Sequence, residues 1–422
     1  MSKKIKVITL GDHPLSPSGV GTQTRYVCEA LMKSGKFEIL SLGGAMKHLD
    51  YSVINVEPWG EEWRVIPIDG YGTQEMIRSI LRTEKPDVLW IMTDPRFWGW
   101  LWQIENEIRP LIPIVYYHVW DNYPYPTFNR KFYDSNDSIV SISKVTNDIV
   151  ANVSPDVDLY HIPHAVSDVF KPYADEEIDE FVIKTLASSP NYHRDKFSVF
   201  WNNRNARRKQ SGTLIWWFKE FLDIIGHENA CLFMHTDPKD YNGQDLHAII
   251  TELGLTNGEV MISNAKVPPQ SLAMMYNISD CTVNISDAEG FGLATLESLA
   301  CGTPIIVNMT GGLQEQVTDG KEWFGVGIEP SSKAVIGSQD VPWIYEDRIS
   351  KQDFIDALLK LYNMNKEERN ELGLKGRQHV MKNYNFNDFN QKWVSTIDEI
   401  MEKHGSWDTR QGYKRWHLLE VA

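Results

Sequence analysis

The chain has 422 residues, 42% of them hydrophobic and 23% charged, with a net charge of -15. This is room for two domains of ordinary size and the composition of a globular protein, not of a disordered or collagenous one. The acid excess counts against duplex nucleic acid as a partner, because such binding needs a basic surface. No apolar run reaches the ~18 residues of a membrane span. Met1-Ser-Lys-Lys-Ile-Lys leads into a strand and not into a signal-peptide core. The cysteines (Cys28, Cys231, Cys281 and Cys301) are widely spaced, with no CxxC, and read as reduced core residues of a cytoplasmic protein. Peripheral membrane contact and homo-oligomerisation stay open.

Residues 4–10 read as a strand, 11–21 (GDHPLSPSGVG) as a glycine loop and 22–34 as a helix. This strand, loop and helix order is that of nucleotide-binding α/β units, although the loop is not GxGxxG. Strands are then expected at 37–42, 63–66, 87–92, 113–118, 137–141 and 159–163, with helices at 73–83, 96–108 and 144–153. Such alternation predicts a parallel sheet covered on both faces, with ligands beyond the C-terminal strand ends. His118 stands at one of those ends, where it is either a satisfied structural histidine or a ligand contact. Trp90 reads as core, while some of Trp98, Trp100 and Trp102 are candidates for a wall on which a ligand stacks. Asp156-Val157-Asp158 has the DxD form of a metal site but lies in a turn before a strand, and no metal is expected there.

Residues 174–196 are acidic, then polar through Ser188-Ser189-Pro190, as in an inter-domain connection with a helical stretch. A fresh strand at 197–202 runs into Asn203-Arg204-Asn205-Ala206-Arg207-Arg208-Lys209-Gln210. A charge run is usually a solvated loop, but at a strand-to-helix turn these cations could hold an anionic ligand such as a phosphate. Further helices are expected at 213–225, 244–253 and 267–276, and strands at 231–235, 260–262 and 280–285.

The stretch 286–317 carries the most chemistry. Glu289-Gly290-Phe291-Gly292 is a glycine turn, 293–301 a helix, and Gly302-Thr303-Pro304 its stop. Residues 305–307 form a short strand, and Gly311-Gly312 precede a helix at 313–317 as a second helix-start site. A strand, a glycine turn and a helix start make an anion site, through unsatisfied N–H groups and the positive helix end. Glu289 lies on the turn. Glu297 falls on the flank of the apolar stripe of its helix, where a partly buried carboxylate needs partners such as sugar hydroxyls. Two glutamates eight residues apart would otherwise read as a cap and a surface charge. Residues 331–350 form an extended segment with Trp343 and Tyr345, an oligomer contact or a lid. Helices follow at 353–361, 366–382 and 387–404, then a polar tail with Trp407 and Trp416.

The run EGFGLATLESLACGTPII, with Glu289-x7-Glu297, resembles the signature of the family-4 retaining glycosyltransferases. The resemblance implies α/β domains of the GT-B fold: two Rossmann-like, doubly wound domains facing a central cleft. The expected division is 1–172 for the acceptor domain, 173–196 for the connection, 197–385 for the donor domain, and 386–422 for a C-terminal helix and tail packing back on the first domain through Phe386, Phe389 and Trp393. It also implies metal-independent, retaining transfer from a nucleoside-diphosphate sugar to a hydroxyl acceptor, with no cofactor. Carried over by residue, Glu289 holds the transferred sugar and Glu297 the donor ribose. Gly290, Phe291, Gly292 and Leu293 line the donor, and Gly19 and Gly21 approach its phosphates. Arg204 and Lys209 neutralise the diphosphate, with Arg207 or Arg208 as the arginine if the loop register differs. His118 orients the sugar, and Trp120-Asp121-Asn122-Tyr123 is a candidate acceptor wall. The 331–350 segment departs from the compact family pattern. Rival readings are a sugar-nucleotide 2-epimerase of the same architecture, a transferase acting on modified DNA bases, and a silent binding module.

Overall fold

The computed structural model describes residues 3–185 and 195–413; Ser188-Ser189-Pro190 and Trp416 lie outside the described residues. The chain divides into two compact units, Met1–Ala165 with Gly337–Ile344 and Phe386–Ala422, and Val166–Ile336 with Tyr345–Asn385. The division differs from the expected one in two places. Residues 166–172 group with the second unit, and 337–344 group with the first.

The first unit contains, in chain order, β1 Ile5–Asp12, α1 Gly19–Lys33, β2 Phe37–Gly44, β3 Ile54–Val56, β4 Gly60–Pro67, α2 Gln74–Thr83, β5 Val88–Met92, α3 Gly99–Trp102, α4 Glu105–Ile108, β6 Ile114–His118, α5 Arg130–Tyr133, β7 Ser138–Ser141, α6 Lys144–Val153 and β8 Asp158–His161. Its eight-stranded sheet runs β3-β4-β2-β1-β5-β6-β7-β8. All its pairs are parallel except β3 with β4, an antiparallel edge. Every residue of β5 and β6 is buried, as expected of inner strands covered on both faces. Thr73 and Ser143 cap α2 and α6 with side-chain oxygens that accept from Met76 and Thr146 amides.

The second unit contains α7 Asp175–Thr185, β9 Phe197–Asn202, α8 Ser211–Ile225, β10 Ala230–His235, α9 Leu246–Glu252, β11 Val260–Ser263, α10 Pro269–Asn277, β12 Cys281–Asn284, α11 Leu293–Ala300, β13 Ile305–Asn308, α12 Leu313–Val317, β14 Gly325–Ile328, α13 Lys351–Tyr362 and α14 Lys366–Asn383. The fully parallel sheet runs β11-β10-β9-β12-β13-β14. Counted from its first strand this is the doubly wound order 3-2-1-4-5-6, whose switch point lies between β9 and β12. Gly325 is required where β14 pairs with β13, because a Cβ there would meet the Ile305 carbonyl oxygen at 1.9 Å. A separate two-stranded sheet joins β15 Ser332–Ile336 to β16 Ile344–Arg348.

The last helix, α15 Phe386–His404, belongs to the first unit and lies along α1. Phe389 and Trp393 are buried, and the Trp393 ring stands edge-on to Trp90 at 6.0 Å and to Tyr117 at 4.9 Å. Tyr26 of α1 meets Phe386 at 4.8 Å. Such aromatic pairs add about 0.5–1.5 kcal/mol each beyond their area.

Three expectations are corrected. The single helix at 96–108 is broken, because Trp98 (φ -107°, ψ 0°) and Ile104 (φ -114°, ψ 19°) leave the helical region and divide it into short turns. The strands β3, β14, β15 and β16 were not expected. Gly19 and Gly21 sit in the first turn of α1 and not in a preceding loop, since Ser18 caps the helix.

Candidate functional site

The switch point of the second unit places two loops side by side. One follows β9 and reaches α8; the other follows β12 and reaches α11. Backbone bonding joins them directly, the Asp287 amide donating to the Arg208 carbonyl at 2.8 Å. Residues Arg207–Lys209 form a 3-10 turn, and Gln210 is left-handed (φ 57°), which turns the chain into α8. This turn carries Lys209 inward.

Lys209 and Glu289 form an ion pair whose side chains are only 9% and 12% exposed. Asn284, at the end of β12, donates to the same Glu289 oxygen at 3.2 Å. Burial pushes the Glu289 carboxyl up, but Lys209 and Arg208 outweigh it and hold the group below the usual carboxylate range. Arg208 donates to the Ala288 carbonyl, so its guanidinium also lies on the Glu289 turn. The turn itself is fastened from behind. Gly312 donates its amide to the Glu289 carbonyl at 3.1 Å, and Gln316 donates to the Phe291 carbonyl at 2.6 Å. Phe291 is buried with its ring edge-on to Tyr384 at 5.8 Å. Gly290 is partly exposed and Leu293 half-buried, so this edge of the turn faces outward. Gly292 is left-handed (φ 90°) and starts α11 with no side-chain cap on the helix. The Gly311-Gly312 pair is different from the expected second anion site: α12 is a single short turn, and the Gly312 amide is already engaged by Glu289.

Glu297 projects from α11 into a hydrogen-bonded relay. Tyr276 donates to its carboxylate at 2.8 Å, and Asn202, at the end of β9, donates to the Tyr276 oxygen at 2.9 Å. Burial pushes the Glu297 carboxyl up to about 7, only partly offset by the Tyr276 hydroxyl. Glu289 and Glu297 thus differ in kind: one is a paired carboxylate, the other a carboxyl poised near neutrality.

Arg204 lies elsewhere. Its side chain is 64% exposed and makes a two-pronged bond to Asp240, at 2.6 and 3.2 Å. Of the basic run, the structure brings Lys209 and Arg208 to Glu289, while Arg207 grips Glu346 at 2.6 and 3.0 Å. The residues missed in the sequence are Asn284, Tyr276, Asp287 and Glu346. Asn284 closes the strand that feeds the glutamate turn, which was an available signal; Tyr276 and Glu346 are distant in sequence and gave none.

In the first unit, Ser18 accepts from the Gly21 amide at 2.9 Å and donates to Asp12 at 2.6 Å, and Tyr71 donates to the other Asp12 oxygen at 2.9 Å. Gly21 is forced, because a Cβ would meet Ser16 Oγ at 2.3 Å and the His13 carbonyl oxygen at 2.6 Å. Gly19 is exposed. His118 has no exposed area; its Nε2 meets the Tyr133 hydroxyl at 2.8 Å, and burial takes it down to about 3. It is therefore a neutral histidine enclosed in its own unit, without a surface to offer a sugar. Trp90, Trp98 and Trp102 are core, and Trp120 is buried with its indole donating to the Asn122 carbonyl at 2.8 Å. Asp158 of the DxD triplet pairs with Lys403 at 2.5 Å and His404 at 2.8 Å. A polar hollow of about 370 Å³ lined by Lys6, Glu38, Asn55, Glu61, Glu62 and Arg64 opens on the same sheet, but its strand residues are not at the C-terminal ends. No helix among the described residues is long and apolar enough to cross a membrane.

Residues 222–379 match the family model described as glycosyl transferases group 1. The D-inositol 3-phosphate glycosyltransferase of Acidothermus cellulolyticus is 38% identical over 90 residues, 21% of this chain and 20% of that protein. The enzyme of the same name from Thermomonospora curvata is 35% identical over 94 residues, 22% of this chain and 21% of that one. The chain thus matches about a fifth of the length of these curated relatives. Among solved structures, sucrose-phosphate synthase from Thermosynechococcus elongatus is similar over 95% of this chain and 100% of that one, with TM-score 0.75 and 18% identity. HepE from Anabaena, solved with UDP and glucose, is similar over 94% of this chain and 100% of that one, with TM-score 0.68 and 14% identity. The chain has the GT-B fold, and its residues 222–379 match the model of the glycosyl transferases group 1.

Proposed function

We propose that the protein is a retaining, metal-independent glycosyltransferase that moves a sugar from a nucleoside-diphosphate sugar to a hydroxyl acceptor. The observation that carries this reading is the buried Lys209–Glu289 pair with Arg208, at the switch point of a doubly wound sheet. Breaking the bond between anomeric carbon and phosphate leaves an oxocarbenium-like sugar and an anionic diphosphate, and both charges need stabilising as they develop. Lys209 and Arg208 are suited to the phosphates. Glu289, kept ionised, accepts from sugar hydroxyls, and Glu297 with Tyr276 accepts from ribose hydroxyls. Arg204 enters only if its pair with Asp240 opens.

Glu289 is held by Lys209 and Asn284 and is not aimed as a free nucleophile, unlike the second carboxylate of a retaining glycosidase. The resemblance to the retaining family supports front-face attack, in which the leaving phosphate takes the acceptor proton. The named relatives act on an inositol phosphate and HepE binds UDP, so UDP-glucose and hydroxylated acceptors are the first substrates to offer. The test is product analysis after incubating UDP-sugars with and without acceptor. Glycoside with retained anomeric configuration, formed in the presence of chelator, is the expected result. An isomerised sugar nucleotide formed without acceptor would replace this reading with the epimerase one.

A further inference from the structure

We propose that Glu346, on β16, is a positioning residue for the Lys209–Glu289 pair, acting through the arginines on either side of it. The inference rests on the function proposed above but reaches beyond the residues that function uses. Glu346 is 2% exposed and is gripped by Arg207 through both oxygens, at 2.6 and 3.0 Å. Arg348 donates to the same carboxylate at 2.9 Å and pairs with Asp287 at 2.9 Å. Asp287 also accepts from Gln210 at 2.6 Å, and its amide holds the Arg208 carbonyl. The next residue of β16 binds the same loops through its backbone, the Asp347 amide donating to the Asp287 carbonyl at 2.8 Å and its carbonyl accepting from Asn308 at 3.0 Å. One strand outside the doubly wound sheet therefore ties down the two loops that carry Lys209 and Glu289.

The charge arrangement says what Glu346 prevents. Arg207, Arg208, Lys209 and Arg348 crowd beside Asp287, Glu289 and Glu346. Arg207 is 53% exposed and already feels the Asp287 charge, so its guanidinium is restrained by the Glu346 pairing and not by packing. With Glu346 neutral, Arg207 gains its best remaining partner in Asp287. That would displace Arg348 and Gln210 and shift the loop whose residue 289 must meet Lys209. A buried carboxylate between two guanidinium groups is costly in desolvation, and specifying an arrangement is one use of such an ion cluster.

The test is Glu346→Gln, an isosteric loss of charge, compared with the unmutated chain and with R207Q/E346Q. In E346Q, kcat should fall about 10- to 100-fold, as expected of a small misplacement at a reacting centre. UDP affinity by calorimetry should hold, because the loop that shifts is the one carrying Glu289, and the Lys209 and Arg208 contacts to the phosphates persist. In R207Q/E346Q the competing cation is gone, and kcat should recover part of the loss. A purely structural role predicts instead that the double variant is no better than E346Q. Unchanged kcat in E346Q, or no recovery in the double variant, overturns the inference. A crystal structure of E346Q gives a readout that does not need activity: Arg207 turned to Asp287 supports the inference, and Arg207 unmoved overturns it. Should the unmutated chain transfer no sugar, the proposed function fails, and the crystal structure still decides the role of Glu346. If E346Q does not fold, Glu346→Asp, which is too short to bridge both arginines, takes its place with the same readouts.

Discussion

Replacing Glu297 with glutamine should make the protein more stable at alkaline pH while weakening its grip on a nucleotide. Burial raises the Glu297 carboxyl from 4.5 to about 7, and the Tyr276 hydroxyl offsets only part of that. The folded state therefore binds more protons than the unfolded chain between those two values, so stability falls as pH rises through that window. Below the unfolded value both states are protonated and the penalty is absent. A shift of this size corresponds to about 3 kcal/mol at full ionisation. Glu297 is half-buried and keeps some solvent, which screens the charge, so about 1–2 kcal/mol is the expected penalty. Glutamine keeps an oxygen for Tyr276 and loses the charge. Urea unfolding at about pH 8 should then give E297Q a lead of about 1–2 kcal/mol, shrinking to nothing below about pH 4. Calorimetry should show UDP bound about tenfold more weakly, because hydrogen bonds to a charged acceptor are the stronger ones. A lead that does not change with pH, or an unmutated chain that is the more stable at alkaline pH, would refute the assignment of the penalty to this carboxyl.

Glu289→Gln should reduce transfer by orders of magnitude while the fold survives, measured as product formation against circular dichroism; near-normal turnover would remove Glu289 from the site. Lys209→Ala leaves that carboxylate buried without its cation and should cost about 3–5 kcal/mol of stability besides donor binding. Arg208→Ala should weaken UDP binding in calorimetry, whereas Arg204→Ala should change it little, because Arg204 is committed to Asp240; the reverse ranking would place the phosphates beside Arg204. Gly21→Ala should destabilise the first unit by about 1–3 kcal/mol through overpacking, read by thermal unfolding.

Most of the fold was legible because its inner strands are buried on both faces and several of its helices, α1, α2, α6, α9, α13 and α14 among them, carry side-chain caps. Val88–Met92 is an unbroken apolar run, Ile114–His118 is apolar up to its final histidine, and α6 begins at Lys144 because Ser143 caps it. The edge elements were not legible, for the same reason in reverse. Strand β15 has no buried residue, and β14 reads Gly-Val-Gly-Ile, a sequence in which Gly325 answers to the neighbouring strand and Gly327 to the Met309 and Trp323 side chains, not to local preference. The break at Trp98 is tertiary as well: an aromatic-rich segment with helical spacing gives up its continuity where Trp98 and Trp102 enter the core.

The site separated in the same way. Glu289 could be named from its glycine turn after a strand and Glu297 from its place on the flank of an apolar helix stripe, while Lys209 came from the resemblance to the glycosyltransferase family. Which arginine joins them could not be read, because in Arg204 to Lys209 the facing direction depends on a 3-10 turn closed by a left-handed Gln210. That conformation is unusual for a residue with a Cβ, and its side chain offsets the strain by bonding Asp287 and Thr213. The register of the basic run is therefore set by contacts to Asp287 and Glu346, about 80 and 140 residues further along the chain. Shortening Gln210 to alanine would test this. The turn should relax and Lys209 should lose its alignment with Glu289, with UDP affinity falling although no group that touches the nucleotide has been changed. Unaltered affinity in Gln210→Ala would mean that the Lys209–Glu289 pair alone holds the loop.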